Sequence, residues 1–236
     1  MKNQKIAYSL GIDESGRGCI LGSMIFSSCA CPKDKQKELI DFKVDDSKKL
    51  TSKQRYKLFT KIRTRTSCIF QLKIIRPEEI SAKMLRSNKD NLNQISHDAV
   101  IHLISSACKS LSICEVFVDT VGPTKQFEQL LRSNFRSIPK IVVTTQADTK
   151  YAIVSAASIC AKHTRDSLLR KWVFIEKGLS VNKNFGSGYL SESVVHSWLK
   201  ENIDDIFGFP TIVRFSWYPT LELMKNNCVR VKKVSK

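Results

Sequence analysis

The stretch from Ile6 to Ala30 constrains the fold more than any other part of the chain. Two apolar runs flank a turn of small residues, and the turn carries adjacent acids: Gly11-Ile-Asp13-Glu14-Ser-Gly16-Arg17-Gly18. Tyr8, Leu10 and Ile12 alternate with small or polar residues, the period of a half-buried strand that ends at Asp13 and Glu14. Met24-Ile-Phe-Ser-Ser-Cys supplies the returning strand, so the segment predicts a hairpin with a chemically loaded turn. Neighbouring carboxylates repel, and a hard divalent cation is the counter-charge that suits their oxygens and activates water. Glycine at 16 and 18 lets the backbone approach a ligand closely, and Arg17 between them suits phosphate. A solvated strand-to-turn junction accounts for an arbitrary Asp-Glu pair; the Gly-Arg-Gly that follows favours a site.

Beyond the hairpin, Asp46-Ser-Lys48-Lys49 reads as a loop and Ser52–Ile62 as a helix. Cys68–Ile75 alternates as a third strand, and Pro77-Glu-Glu opens a helix with Pro and acids in its first turn. A longer helix follows over Asn91–Ser110, then a short buried strand, Glu115–Asp119. Thr124–Asn134 reads as helix, Lys140–Thr145 as a fifth strand, and Val154–Lys177 as one long helix. After the glycine-rich Asn184–Tyr189 loop come helices around Glu192–Asn202 and Trp217–Asn226. Three strands in succession, then strands alternating with helices, make an α/β layer arrangement with a helical C-terminal part. The expected division is a catalytic domain over 1–183 and a loop with helices packed on it over 184–236.

Charge narrows the ligand. The chain holds 39 Lys and Arg against 22 Asp and Glu, a formal charge of +17, which points to a polyanion. The excess is concentrated at Lys48, Lys49, Lys53, Arg55, Lys57, Lys61, Arg63 and Arg65, and again in the C-terminal tail, as phosphate contacts require. Eight irregularly spaced cysteines do not form a disulfide framework and predict a reducing, intracellular setting, with Cys29 and Cys31 as buried thiols. No apolar run approaches the roughly 18 residues of a membrane span, so no membrane partner is expected.

Strands of an α/β sheet present ligands at their carboxyl ends. Asp119 closes Val-Phe-Val-Asp and Asp148 lies just beyond the fifth strand, so both can join Asp13 and Glu14. Four such acids are tolerated together at neutral pH with two divalent ions, the apparatus of in-line phosphodiester cleavage. Asp166 is the rival for the fourth place, but it lies deep inside the predicted long helix, where a salt-bridging role suits it better.

These blocks resemble the ribonuclease HII family, in its eukaryotic branch the catalytic chain of type 2 ribonuclease H. The resemblance runs through Gly11–Gly18, Asp46-Ser-Lys-Lys-Leu50, Val118-Asp-Thr-Val-Gly122, Ala147-Asp148 and Val154–Lys162. Phe185-Gly-Ser-Gly-Tyr189 and Phe207–Trp217 complete it, and the last block with Asn91–Asp98 matches the eukaryotic branch more than the bacterial one.

The resemblance implies an RNase H-like fold with a mixed five-stranded sheet flanked by helices. It implies an endoribonuclease that cleaves RNA in RNA–DNA hybrids and 5′ of single ribonucleotides in duplex DNA, leaving 5′-phosphate and 3′-hydroxyl ends. Asp13, Glu14, Asp119 and Asp148 then hold two Mg²⁺ or Mn²⁺ ions. Gly16, Arg17 and Gly18 read the 2′-hydroxyl through backbone groups, and Tyr189 stacks on the following deoxyribose. Lys48 and Lys49 contact phosphate, with a generic basic surface as the alternative; Asn93 touches the DNA strand or serves as a helix cap. By resemblance, too, two accessory subunits complete a heterotrimer, and the protein acts in the nucleus in ribonucleotide removal, replication and repair. Ser15, Cys19, His163 and Leu190 depart from the family's usual Ala, Pro, Val and Pro; none removes a carboxylate, and Leu190 relaxes the fixed φ after Tyr189. The competing readings are a non-catalytic hybrid-binding scaffold and a DNA-strand nuclease of the same fold. A sugar kinase or actin-like ATPase needs glycine-rich phosphate loops in both halves, which this chain lacks.

Overall fold

The computed structural model describes residues 6–42, 50–176 and 181–229. Its five strands are β1 (Ala7–Ser15), β2 (Met24–Pro32), β3 (Ile69–Ile75), β4 (Ser112–Asp119) and β5 (Lys140–Thr144), in the spatial order β3-β2-β1-β4-β5. β1 runs antiparallel to β2, as the hairpin requires, and parallel to β4, which is parallel to β5. The predicted mixed five-stranded sheet is therefore present.

β1 departs from the expected half-buried strand: Ser9 and Gly11 are buried along with Leu10 and Ile12, because β1 is the central strand. β2 is buried along all nine residues. Gly11 is a requirement of that burial, since a Cβ there would sit 2.5 Å from the carbonyl carbon and oxygen of Ile153, closer than packed atoms tolerate.

The helices are α1 (Lys37–Asp41), α2 (Ser52–Arg65), α3 (Pro77–Leu85), α4 (Leu92–Ser110), α5 (Thr124–Asn134), α6 (Ala147–Lys150), α7 (Ala152–Arg170), α8 (Ser193–Glu201) and α9 (Tyr218–Asn227). Thr51 caps α2 in a capping box with Gln54. Two expectations about helix ends are corrected. The short α6 lies where the sequence pattern predicts only a connection, and α7 stops at Arg170 rather than Lys177. The main-chain N–H of Trp172 closes the last turn onto Leu169, after which Trp172 and Phe174 leave the helix to pack against buried Leu169, Phe185 and Trp198. Among the described residues, no helix is long and apolar enough to cross a membrane.

The chain divides into two units. The first, the described residues of Met1–Ser15, Ile25–Ile74 and Leu92–Asp166, holds the sheet; its core joins Cys29, Cys31, Leu39 and Ile62 to Phe117 and to Val154, Ala157 and Ile159 of α7. The second, the described residues of Gly16–Met24, Ile75–Asn91 and Ser167–Lys236, is built on Ile20, Leu21, Trp198, Leu199, Ile212 and Val213.

Candidate active site

β1 and β4 are parallel neighbours, so Asp13 and Asp119 emerge at the same end of adjacent strands. Asp148 reaches them by a different device. After β5, Gln146 adopts a left-handed backbone (φ 55°), a conformation uncommon outside glycine, and turns the chain into α6. The Ala147 N–H at the head of α6 then donates to Asp119 Oδ1 at 3.0 Å, beside the Thr120 N–H at 3.1 Å. One carboxylate thereby fixes the helix that carries another.

The outcome is a triad: oxygens of Asp13, Asp119 and Asp148 all lie within 4.8 Å of one another. Asp13 and Asp148 are buried and Asp119 half-buried. Glu14 is half-buried and outside the triad; successive side chains on a strand point to opposite faces, and the Glu14 N–H donates to Asp13 Oδ1 at 2.7 Å.

Burial pushes the Asp13 carboxyl up to about 6; a hydrogen bond from Ser158 opposes the rise, the nearby Asp119 charge adds to it, and Lys162 opposes it. The Lys162 ammonium donates to Ser158 Oγ at 2.8 Å. An ammonium can only donate, so the serine hydroxyl accepts from Lys162 and turns its own hydrogen toward Asp13. Ser158 and Lys162 are one helical turn apart on α7, and the sequence motifs do not single them out as site residues. Their signal is a pair of polar residues at i, i+4, with the buried apolar Ile159, Cys160 and Ala161 between them.

Three clustered carboxylates, one of them held reluctant to ionise, match the donor set of a hard divalent cation. Asp166 does not compete for it. Its carboxylate pairs with Arg55 at 2.5 Å and with Arg165 at 3.4 Å, the salt-bridging role expected of it.

In the second unit, Gly16 has φ 84°, and the turn it begins is held by Arg214, a fully buried arginine. Arg214 Nη2 donates to the Gly16 carbonyl at 2.6 Å, Nη1 to Arg17 at 2.9 Å and Nε to Gly22 at 3.0 Å. Its ring-side neighbour is Trp217, 4.9 Å from the guanidinium carbon to the ring centroid. Tyr189 lies beside this turn, 3.9 Å from the place a Gly18 Cβ would occupy, and is 38 % exposed. Its loop is tied down by Ile20 N–H donating to Gly188 O at 2.9 Å and by Ser187, whose N–H and hydroxyl both donate to Glu192.

Asn93 is exposed in the first turn of α4. Lys48 and Lys49 lie outside the described residues.

The model of the family described as Ribonuclease HII matches residues 10–220. A ribonuclease H2 subunit of Homo sapiens is 42 % identical over 209 residues, covering 88 % of this chain and 70 % of its own length. The Arabidopsis thaliana protein of the same description is 41 % identical over the same shares. Among solved structures, the ribonuclease H2 of Pyrococcus horikoshii OT3 superposes with a TM-score of 0.76 at 30 % identity, covering 93 % of this chain and 98 % of that one.

Proposed function

The chain belongs to the ribonuclease HII family, and from that premise we infer that it is a ribonuclease H that cuts RNA in RNA–DNA hybrids and 5′ of single ribonucleotides in duplex DNA. The observation that carries this reading is the triad of Asp13, Asp119 and Asp148 in a chain of formal charge +17. A protein that only held hybrid would bind it better without three negative charges gathered in one place.

Asp13, Asp119 and Asp148, with Glu14 beside them, would hold divalent cations, Mg²⁺ or Mn²⁺. Bound there, a pair of such ions would supply activation of water and stabilisation of the leaving 3′ oxygen, the chemistry of cleavage to a 5′-phosphate. The chain's own part is orientation. Ser158, itself fixed by Lys162, aims a hydrogen at Asp13, and the main-chain N–H groups of Thr120 and Ala147 hold Asp119. Selection of ribose falls to the backbone of Gly16, Arg17 and Gly18, where Arg214 sets the Gly16 and Arg17 carbonyls in place, because the 2′-hydroxyl distinguishes RNA from DNA. Tyr189, partly exposed beside Gly18, stacks on the neighbouring deoxyribose. Lys48, Lys49 and Asn93 add contacts to the strands. By the same family reading the chain works with two accessory subunits, in the nucleus, in ribonucleotide removal, replication and repair.

The test is cleavage of three labelled duplexes, one with a single ribonucleotide, one with a full RNA strand and one all DNA, each with Mg²⁺, Mn²⁺ or EDTA. Metal-dependent cuts in the first two that vanish in Asp119→Asn are expected. Cutting of the all-DNA duplex would replace this reading with a DNA-strand nuclease, and metal-independent binding without any cut, accessory subunits included, with a scaffold.

A further inference from the structure

Helix α2 carries six cations, Lys53, Arg55, Lys57, Lys61, Arg63 and Arg65, and no acid; the sequence has no Asp or Glu between Asp46 and Glu78. The six do different things. Arg55 turns inward, pairing with Asp166 and donating to the Leu50 carbonyl at 3.0 Å. Arg63 lies over the Phe59 ring, 5.8 Å from its centroid. Lys53, Lys57, Lys61 and Arg65 remain, all exposed. They recur at every fourth position, so they form a ridge that advances about 6 Å per residue pair over about 18 Å.

Elsewhere in the molecule three cations on or next to helices are matched by an acid four positions away: Lys83 with Glu79, Arg86 with Asp90, and Arg132 with Glu128. Among the described residues no carboxylate pairs with the four on the α2 ridge. Like charges at i, i+4 destabilise a helix by a few tenths of a kcal/mol per pair, and α2 sets three such pairs in a row. Solubility does not require that arrangement, since scattered charges serve it equally. A polyanion does, because its phosphates are themselves a row of charges a few ångströms apart.

We propose that the Lys53, Lys57, Lys61 and Arg65 ridge of α2 is a second nucleic-acid contact that follows the phosphate backbone of a duplex away from the cleavage position. Its occupant is double-stranded nucleic acid, read by charge and not by base or sugar. α7 connects the ridge to the candidate active site. Ser158, Lys162 and Asp166 stand at successive turns of that helix, the first two at Asp13 and the third at Arg55, the anchor of α2. The Arg55 anchor is therefore about 6 Å along α7 from Lys162. The ridge gives affinity and no cleavage chemistry, so it sets how tightly a substrate is held and how that depends on salt. The inference rests on the reading of the chain as a nuclease acting on duplexes.

Binding of the full chain to all-DNA and hybrid duplexes is measured in EDTA from 50 to 200 mM salt. Wild type is compared with K53Q/K57Q/K61Q/R65Q and with K89Q/K109Q/K125Q/R136Q, which removes four exposed cations elsewhere. Each lost phosphate contact lowers the slope of log K against log salt by about 0.9. The ridge variant is expected to lose about 3 to 4 from the slope on both duplexes, and about 100-fold or more in affinity at 50 mM salt. Its cleavage rate at saturating substrate should stay at the wild-type value and its thermal stability should hold or rise, because like-charge pairs are relieved. Equal slope changes in the two variants would overturn the proposal in favour of generic charge. So would competition by polyglutamate as effective, per charge, as that by DNA, or a ridge variant with lower stability and an unchanged slope. Because binding is read without metal, absence of wild-type cleavage even with accessory subunits would refute the nuclease reading and leave the ridge result standing on its own.

Discussion

Replacing Arg214 by methionine keeps most of the buried volume and removes the guanidinium that holds the Gly16–Gly22 turn. Of the three carbonyls it serves, those of Arg17 and Gly22 lose its donation outright, and that of Gly16 keeps only the Cys19 N–H at 3.4 Å. A buried polar group left without a partner costs about 1 to 3 kcal/mol, and two such groups with a weakened third put the loss near 4 kcal/mol. Against a total stability of about 5 to 15 kcal/mol for an ordinary domain, that is a large fraction. Arg214→Lys separates charge from geometry. An ammonium keeps the cation but cannot span three carbonyls from one planar fork, so about 2 to 3 kcal/mol of the loss should persist. Urea unfolding gives the stability of each variant. The functional readout is the ratio of cleavage at a ribonucleotide-containing site to binding of the matched all-DNA duplex. If Arg214 sets the backbone that reads the 2′-hydroxyl, Arg214→Lys lowers that ratio by about 10²-fold while leaving all-DNA binding intact, because a misplacement of about 1 Å has consequences of that order. A stability loss under about 1 kcal/mol, or a destabilised variant with an unchanged ratio, would refute the clamp.

Two further outcomes follow from the carboxylate site. Asp13 has a folded-state pKa of about 6 against an ordinary 3.8, so the metal-free native state holds this proton more tightly than the unfolded chain does. The resulting stabilisation is present below about pH 4 and is lost as pH rises through about 6, roughly 3 kcal/mol in all. Thermal unfolding should therefore show a larger rise in Tm on adding Mg²⁺ or Mn²⁺ near pH 7.5 than near pH 5, and Asp13→Asn should flatten the metal-free profile in that window. An unaltered profile in Asp13→Asn would assign the titration to another group. Gly11→Ala places a methyl 2.5 Å from the Ile153 backbone and should cost about 3 kcal/mol or more in urea unfolding, with activity lost as α7 shifts Ser158 and Lys162. Wild-type stability in that variant would show that α7 has room to move.

The parts of the site legible in the sequence are those whose geometry is local. Asp13 and Asp119 end strands whose apolar alternation marks them, and parallel neighbours bring their ends together. Asp148 is legible as a ligand but not as a helical one, because α6 is started by a left-handed Gln146, where no glycine or asparagine announces the turn. Ser158, Lys162 and Arg214 escape notice for a different reason. Arg214 serves main-chain carbonyls about 200 positions away, and carbonyls have no residue identity to pattern-match. The end of α7 is hidden because Trp172 and Phe174 look equally helical and apolar until a second core claims them.

Taken together, the charges resolve an apparent contradiction. A formal charge of +17 attracts a polyanion, and a carboxylate cluster repels the polyanion that the net charge attracts. Distance separates the two effects. Beyond a Debye length of about 8 Å at physiological salt the three acids merge into the net field, and an approaching duplex meets a cation. Within hydrogen-bonding range the net field is irrelevant and the local donor set decides, favouring a small divalent ion that the phosphate can also share. The Lys162–Ser158 pair belongs to the short-range set, tempering Asp13 without neutralising the triad. The α2 ridge belongs to the long-range set, which is why its cations stand exposed on the opposite side of α2 from Arg55, the one α2 cation shown paired to an acid. A hydrolase of phosphodiesters needs both sets at once, and a binder needs only the second.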